Sequence, residues 1–167
     1  MGHEVLFHDL CEEGFDPVLT PAELARGFSL DLLVQEHCGQ LAAADGLLIF
    51  HPDWWGQPPA VLKGWLDRVF RQGVAYDLEG GDFSEKEWKP LLAGRPALVM
   101  VTTDATGPDV TSNFQTLWTE LVLGRCGMDA ECRVLTDLRR LGSAGRAEHM
   151  ASLSSLLEKK FGAVPKG

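Results

Sequence analysis

An α/β fold, a parallel sheet with helices on both faces, is predicted by three features of this 167-residue chain. Short apolar runs alternate with longer stretches of helical period. The runs are continuous rather than alternating, as in strands buried on two faces, and segments rich in Gly, Pro and Asp separate them. The length fits one domain, 1–167, with an ordinary core, and 45% apolar with 23% charged residues is a globular composition.

Taken in order, Glu4 to His8 contains Val5, Leu6 and Phe7 and reads as a first strand. In the turn-rich segment after it, Thr20, Pro21 and Glu23 have the pattern of an N-cap, a first-turn proline and a capping-box acid. A helix covers about Asp31 to Ala44, with Leu33, His37 and Leu41 on one side. "GLLIF", Gly46 to Phe50, is a strand expected to be covered on both faces. After Pro58 and Pro59 the spacing of Val61, Leu62, Trp65, Leu66, Val69 and Phe70 is that of an amphipathic helix, with Trp65 in the core. A long polar loop then runs through "YDLEGGDFSEKEWKPLLAG". "PALVMVTT", Pro96 to Thr103, is a buried strand, followed by the loop "DATGPDVTSN". Phe114, Leu117, Trp118, Leu121 and Val122 mark a helix, and Glu131 to Thr136 the last strand. Ser143 to Phe161 is a C-terminal helix with Ala147, Met150, Leu153 and Leu157 inward.

A net charge of -9 argues against a nucleic-acid or anionic-membrane surface, which needs clustered Lys and Arg. No apolar run of about 18 residues and no basic-then-apolar leader is present, so the expected compartment is the cytoplasm, without membrane insertion. Leu6 stands where a myristoylation signal needs Ser or Thr. Cys11, Cys38, Cys126 and Cys132 form no CxxC pair, and Cys38 and Cys132 are expected as small buried thiols. His3, His8 and Cys11 lack a fourth partner, so no metal site is expected.

Ligands of parallel α/β sheets sit beyond the carboxyl ends of the strands. This directs attention to two exit loops, His51 to Pro59 and Thr102 to Asn113. "HPDWWGQPP" offers flat aromatic faces and a glycine for close approach, which suits a planar heteroaromatic ligand with a polar rim. Trp54 and Trp55 could equally plug the sheet edge or fill a subunit interface. Thr102, Thr103, Asp104 and Thr106 can bond the rim of such a ligand or serve as ordinary turn and cap residues. The phosphate-loop, dinucleotide, serine-hydrolase and zincin motifs do not occur. His51 has no visible nucleophile partner, and it stands as a general acid or base or, more simply, as a structural hydrogen-bonding residue.

Three segments, "GHEVLFHDLCEEGFDPVL", "LAAADGLLIFHPDWWGQPPAVLKGWLDRVFRQGVAYDL" and "ALVMVTT", together resemble the flavodoxin-like NAD(P)H-dependent quinone oxidoreductases, including bacterial relatives associated with potassium-efflux channels. The resemblance implies a flavodoxin-like sheet that binds FMN or FAD and passes a hydride from NAD(P)H through the flavin to a quinone or similar small acceptor. Pro52, Asp53, Trp54, Trp55 and Gly56 match the loop that meets the flavin ring, and Thr102, Thr103 and Asp104 match the second flavin loop. A homodimer is implied, its pocket partly shaped by the second subunit. The family's first strand, phosphate-holding "AHPxPxSFN" loop and first helix have no counterpart ahead of "GHEV", so the first strand is expected to be missing and the chain truncated relative to the family. The second loop has Asp104 and Ala105 where relatives have a Gly pair and a nearby Tyr or His, so the catalytic side chain is unknown. Tyr76 either covers the substrate side of the ring or packs under the long loop. The alternative function is a non-catalytic flavin-binding or regulatory module of the same descent.

Overall fold

The computed structural model describes residues 2–80, 87–105, 107–136 and 142–162. The first helix, α1 (Pro21–Arg26), starts as its sequence predicts. Thr20 Oγ1 accepts from the Glu23 amide while the Glu23 carboxylate accepts from the Thr20 amide, and Pro21 fills the first turn. Asp31 caps α2 (Leu32–Ala43), which buries Val34, His37 and Leu41. β1 (Leu47–Pro52) leads through the first exit loop into α3 (Ala60–Val69), whose buried face carries Leu62, Trp65, Leu66 and Val69.

β1, β4 (Pro96–Thr103) and β5 (Asp129–Thr136) form a parallel sheet with β4 in the middle. Leu98, Val99, Met100 and Val101 of β4 are fully buried, as a central parallel strand covered on both faces requires. The continuous apolar run predicted this correctly. α5 (Ser143–Phe161) has the predicted bounds.

Arg68 of α3 ties the irregular N-terminal third to this core. Its guanidinium bonds Glu23 Oε1 at 3.2 and 3.3 Å, the Asp16 carbonyl at 2.6 Å and Ser29 Oγ at 3.3 Å. Gly64, one turn earlier, lets the chain cross closely, because a Cβ there would lie 2.3 Å from Pro17. A second polar knot holds the turn at Leu10 to Phe15, with His8 bonded to Glu13 at 2.7 Å and to Gln40 at 2.5 Å.

Five expectations need correction. Glu4 to His8 forms no strand, and Val5, Leu6 and Phe7 are exposed. Extended chain becomes a strand only when its amides and carbonyls find a ladder. This segment is instead pinned at its ends, His3 donating to the Gly162 carbonyl and His8 joined to Glu13 and Gln40. Among the described residues β1 pairs only with β4, so it is an edge strand. Its Ile49 and His51 are buried, but Leu48 and Phe50 on the opposite face are exposed, which the expectation of two covered faces missed. On α5, Leu153 and Leu157 are half-buried while Ala147 and Met150 are exposed, since the helix covers the sheet mainly along β4. The long polar loop holds an antiparallel pair, β2 (Tyr76–Glu79) and β3 (Glu87–Pro90), where Tyr76 stacks on Trp88 at 3.8 Å. Residues 81–86 between them lie outside the described residues.

The region predicted as loop to Asn113 is largely helix. α4 (Pro108–Gln115) begins at the proline after Gly107, continues as a π-helical turn over Thr116–Val122 and ends in a 3₁₀ turn at Gly124–Cys126. Proline at a first helical position lacks only an amide that the helix would leave unpaired anyway, so "GPDV" starts a helix rather than prolonging a loop.

Candidate functional site

Parallel pairing of β1 with β4 puts Pro52 opposite Thr102, so the two exit loops leave the sheet side by side. Asp53 joins them. Its amide donates to the Thr102 carbonyl at 2.7 Å, one carboxylate oxygen accepts from Thr103 Oγ1 at 2.7 Å, and the other accepts from the Gly56 amide at 2.7 Å. Charge-assisted bonds of this length fix both loops from a single side chain.

Beyond Asp53 the chain reverses in a two-residue turn. Trp54 and Gln57 exchange both backbone hydrogen bonds, at 3.0 and 3.1 Å, with Trp55 and Gly56 between them at φ 58° and 74°. Two successive positive φ values define a type I′ turn, whose first position ordinarily takes Asn, Asp or Gly. Trp55 is the one non-glycine residue with positive φ among the described residues, and its side chain is 97% exposed. Trp54 is 60% exposed. Neither therefore plugs the sheet edge within this chain. The turn holds two large aromatic surfaces clear of the protein, at the end of a strand.

The remaining predicted site residues lie around this turn. Pro52 and Asp104 are exposed, Asp53, Gly56 and Thr102 half-buried, and Thr103 buried, with its hydroxyl also accepting from the Ala105 amide. Thr106 lies outside the described residues. Next to the turn is a cavity of about 370 Å³, lined by Gln57, Pro58, Phe70, Tyr76, Trp88 and Arg125 among others. Trp88 donates to the Arg125 carbonyl at 2.7 Å, and the Arg125 guanidinium lies 4.9 Å from the same ring. Trp88 and Arg125 were not singled out from sequence. Pairing of Tyr76–Glu79 with Glu87–Pro90 brings Trp88 to the site and the 3₁₀ turn Gly124–Cys126 brings Arg125, and no local pattern in a polar stretch encodes the pairing.

His51 points away from the exposed surface and is 5% exposed. Its Nε2 accepts from the Trp118 indole at 3.1 Å, so the ring proton is on Nδ1, which donates to the Pro52 carbonyl at 2.8 Å. Burial lowers its pKa against the opposing pull of the Pro52 carbonyl and the Asp53 carboxylate. With both nitrogens engaged, His51 has no free atom for proton transfer, and the hydrogen-bonding reading holds over the acid-base one.

One other cluster brings titratable groups together. The ligand atoms of His8, Glu13 and His37 lie within 4.8 Å of one another. His37 Nδ1 accepts from the Trp65 indole at 2.8 Å, which places its proton on Nε2, the nitrogen 3.3 Å from Glu13. A protonated nitrogen has no lone pair for a cation, so the contact is a polar link between α2 and the Leu10 to Phe15 turn. His3 and Cys11 are not part of it: His3 bonds the Gly162 carbonyl and Cys11 is exposed.

Chemically, the two loops offer aromatic faces, hydroxyls and a carboxylate already engaged, and they contain no Lys or Arg. That set suits a planar, polar-rimmed ring, which is the part of a flavin that carries its redox chemistry.

Known proteins resemble this chain over most of its length. Residues 1–155 match the family model described as a flavodoxin-like fold. An FMN-dependent NADH:quinone oxidoreductase of Vibrio vulnificus is 30% identical over 132 residues, covering 75% of this chain and 63% of that protein. An uncharacterized NAD(P)H oxidoreductase of Haemophilus influenzae is 40% identical over 84 residues, 48% of this chain and 41% of that protein. The chain spans less than half the length of the first curated relatives it matches. Among solved structures, a Streptococcus mutans protein superposes with a TM-score of 0.74 at 25% identity, covering 90% of this chain and 80% of that one. An NAD(P)H:quinone oxidoreductase of Methanothermobacter marburgensis gives 0.66 at 24% identity, over 87% and 76%, a likeness of fold. The sheet order, the paired exit loops and the match over residues 1–155 agree, and the chain belongs to the flavodoxin-like fold family.

Proposed function

We infer that the two exit loops receive the ring system of a flavin in an NAD(P)H-dependent oxidoreductase whose acceptor is a quinone or similar small molecule. The observation that carries this reading is Trp55, held in a left-handed conformation that disfavours a bulky side chain and yet left 97% exposed. Such a position costs about 1–2 kcal/mol, a burden explained by a ligand that stacks on the exposed ring. FMN is favoured over FAD because the Vibrio vulnificus relative is named FMN-dependent. A homodimer acting in the cytoplasm completes the proposal, the second copy covering the exposed aromatic surface around the ring.

Bound flavin would supply a reversible two-electron store between nicotinamide donor and acceptor. The chain's own residues position it. Trp54 and Trp55 give the stacking surface, Asp53 holds the turn against Thr103, and Thr102 and Asp104 stand at the rim. The cavity lined by Tyr76 and Trp88 is the place for a second flat molecule beside that ring. No side chain is assigned a proton-transfer role.

The test is titration with FMN and FAD, followed by NADPH and NADH oxidation in the presence of a benzoquinone. Saturable FMN uptake with flavin-dependent turnover is expected. Uptake without turnover would favour the binding or regulatory reading, and absence of both would overturn the flavin reading.

A further inference from the structure

We propose that His51 and Trp118 form a buried positioning pair that sets the orientation of the aromatic turn from the helix layer beneath the sheet; this rests on the flavin reading above. The turn is anchored through a continuous series of hydrogen bonds. The Trp118 indole donates to His51 Nε2, His51 Nδ1 donates to the Pro52 carbonyl, and the next amide, of Asp53, donates to the Thr102 carbonyl. The Asp53 carboxylate then holds Gly56 and Thr103. The Pro52–Asp53 peptide is thus clamped on both sides, immediately before the tryptophans.

The direction of each bond leaves no alternative arrangement. An indole can only donate, so Nε2 must be the acceptor and Nδ1 the donor. Without Trp118, the neutral ring could place its proton on either nitrogen, and the tautomer with Nδ1 bare would set two lone pairs against each other at the Pro52 carbonyl. Phe114 and Trp118 pack on the imidazole with ring centroids 5.7 and 5.4 Å away, which removes rotation as a remedy.

The local helix geometry serves this contact. Trp118 lies in the π-helical turn Thr116–Val122, where the Leu123 amide reaches back five residues to the Trp118 carbonyl at 3.0 Å. A π turn inserts a residue into the helical register and re-aims the side chains within it, and such turns concentrate at functional sites. Here the re-aimed side chain is fully buried and ends on His51. Trp118 would otherwise read as an ordinary core residue.

The pair is tested with Trp118→Phe, which keeps an aromatic ring and removes the donor, and with His51→Leu and His51→Asn. Asparagine places an amide nitrogen near the position of Nδ1 and can still donate to Pro52. FMN affinity is measured by flavin fluorescence, and the His51 tautomer by nitrogen-15 NMR of the imidazole. The wild type is expected to show a single tautomer with the proton on Nδ1. Trp118→Phe should show tautomer exchange and about tenfold weaker FMN binding, a change of about 1.4 kcal/mol in coupling of ligand to turn. His51→Leu should lose affinity at least as strongly, and His51→Asn should recover it to within about threefold, since it restores the one bond that holds the peptide. Equal FMN affinity in the wild type, Trp118→Phe and His51→Leu would overturn the positioning role while leaving the flavin reading intact. A wild type that shows the Nδ1 tautomer but binds no FMN would overturn the flavin reading, and this role with it.

Discussion

At the scale of single residues, the aromatic turn combines local strain with exposed aromatic surface, and mutation separates the cost of the strain from the ligand binding proposed for that surface. Trp55→Gly removes the left-handed penalty of about 1–2 kcal/mol and adds about 0.5–1 kcal/mol of backbone entropy, so thermal melting should show a protein as stable as the wild type or slightly more so. The same variant should bind FMN at least tenfold more weakly, the opposite sign from a residue kept for folding. Asp53 behaves differently because it serves the fold and the loops together. Asp53→Ala removes acceptors from Gly56 and Thr103. A loss of about 2 kcal/mol in denaturant unfolding is expected, with weaker FMN binding alongside. The sequence directed attention to the tryptophan pair and its glycine as a turn at a strand end, and the structure holds Trp54 and Trp55 exposed there. The left-handed Trp55 was not, because the dipeptide Trp-Gly carries none of the usual preference for a type I′ turn and only the Trp54 to Gln57 pairing reveals it.

At the scale of elements, Arg68 decides how the N-terminal third attaches to α3. Arg68 and Glu23 are both buried and face each other. Burial tends to raise the Glu23 pKa, but hydrogen bonds from Ser29, the Thr20 backbone and Arg68, with the charge of Arg68, hold it below the usual carboxylate range. Arg68→Leu strands that carboxylate and should cost about 3–5 kcal/mol in urea unfolding, whereas pairing it with Glu23→Leu should recover much of the loss. Gly64→Ala tests the adjoining crossing, where overpacking against Pro17 should cost about 1–3 kcal/mol. Helices α1, α2 and α3 and strand β4 could be read from caps and apolar spacing because those signals are local. The strand expected at Glu4 to His8 and the two-sided burial of β1 could not, because both depend on a pairing partner, which no residue within the segment supplies. The hairpin of β2 and β3 was missed for the complementary reason: its pairing overrides a polar, loop-like composition.

At the scale of the whole molecule, pH sensitivity follows from two buried histidines. Burial lowers the pKa of both His37 and His51. Unfolded histidine titrates near about 6.5, so below that pH the unfolded chain binds more protons than the folded one and stability falls as the solution is acidified. Each can contribute a slope of up to about 1.4 kcal/mol per pH unit until its lowered folded value is passed. Glu23 adds a loss in the same direction at more acid pH, its contribution being complete above about 4.3 and fading as pH falls through its depressed folded value. Melting temperatures measured from pH 8 to pH 5 should therefore decrease, and His51→Asn should flatten part of the decrease. The parallel α/β architecture around these groups was readable from the order of its elements and its flavodoxin-like character from the resemblance of three segments, and because parallel sheets place their exit loops at one end, attention went to the candidate site before any contact was known. The central claim is that this end of the sheet is built for the flat part of a flavin, by two loops that contain no Lys or Arg to hold a phosphate. Titration of the folded protein with FMN and with riboflavin, read by flavin fluorescence, addresses it most directly. Saturable quenching at one flavin per chain is predicted, with the two ligands within about threefold of each other because ring stacking dominates, and with Trp55→Gly weakening both. Unsaturable quenching by either flavin, or saturable binding that Trp55→Gly leaves unchanged, would contradict it.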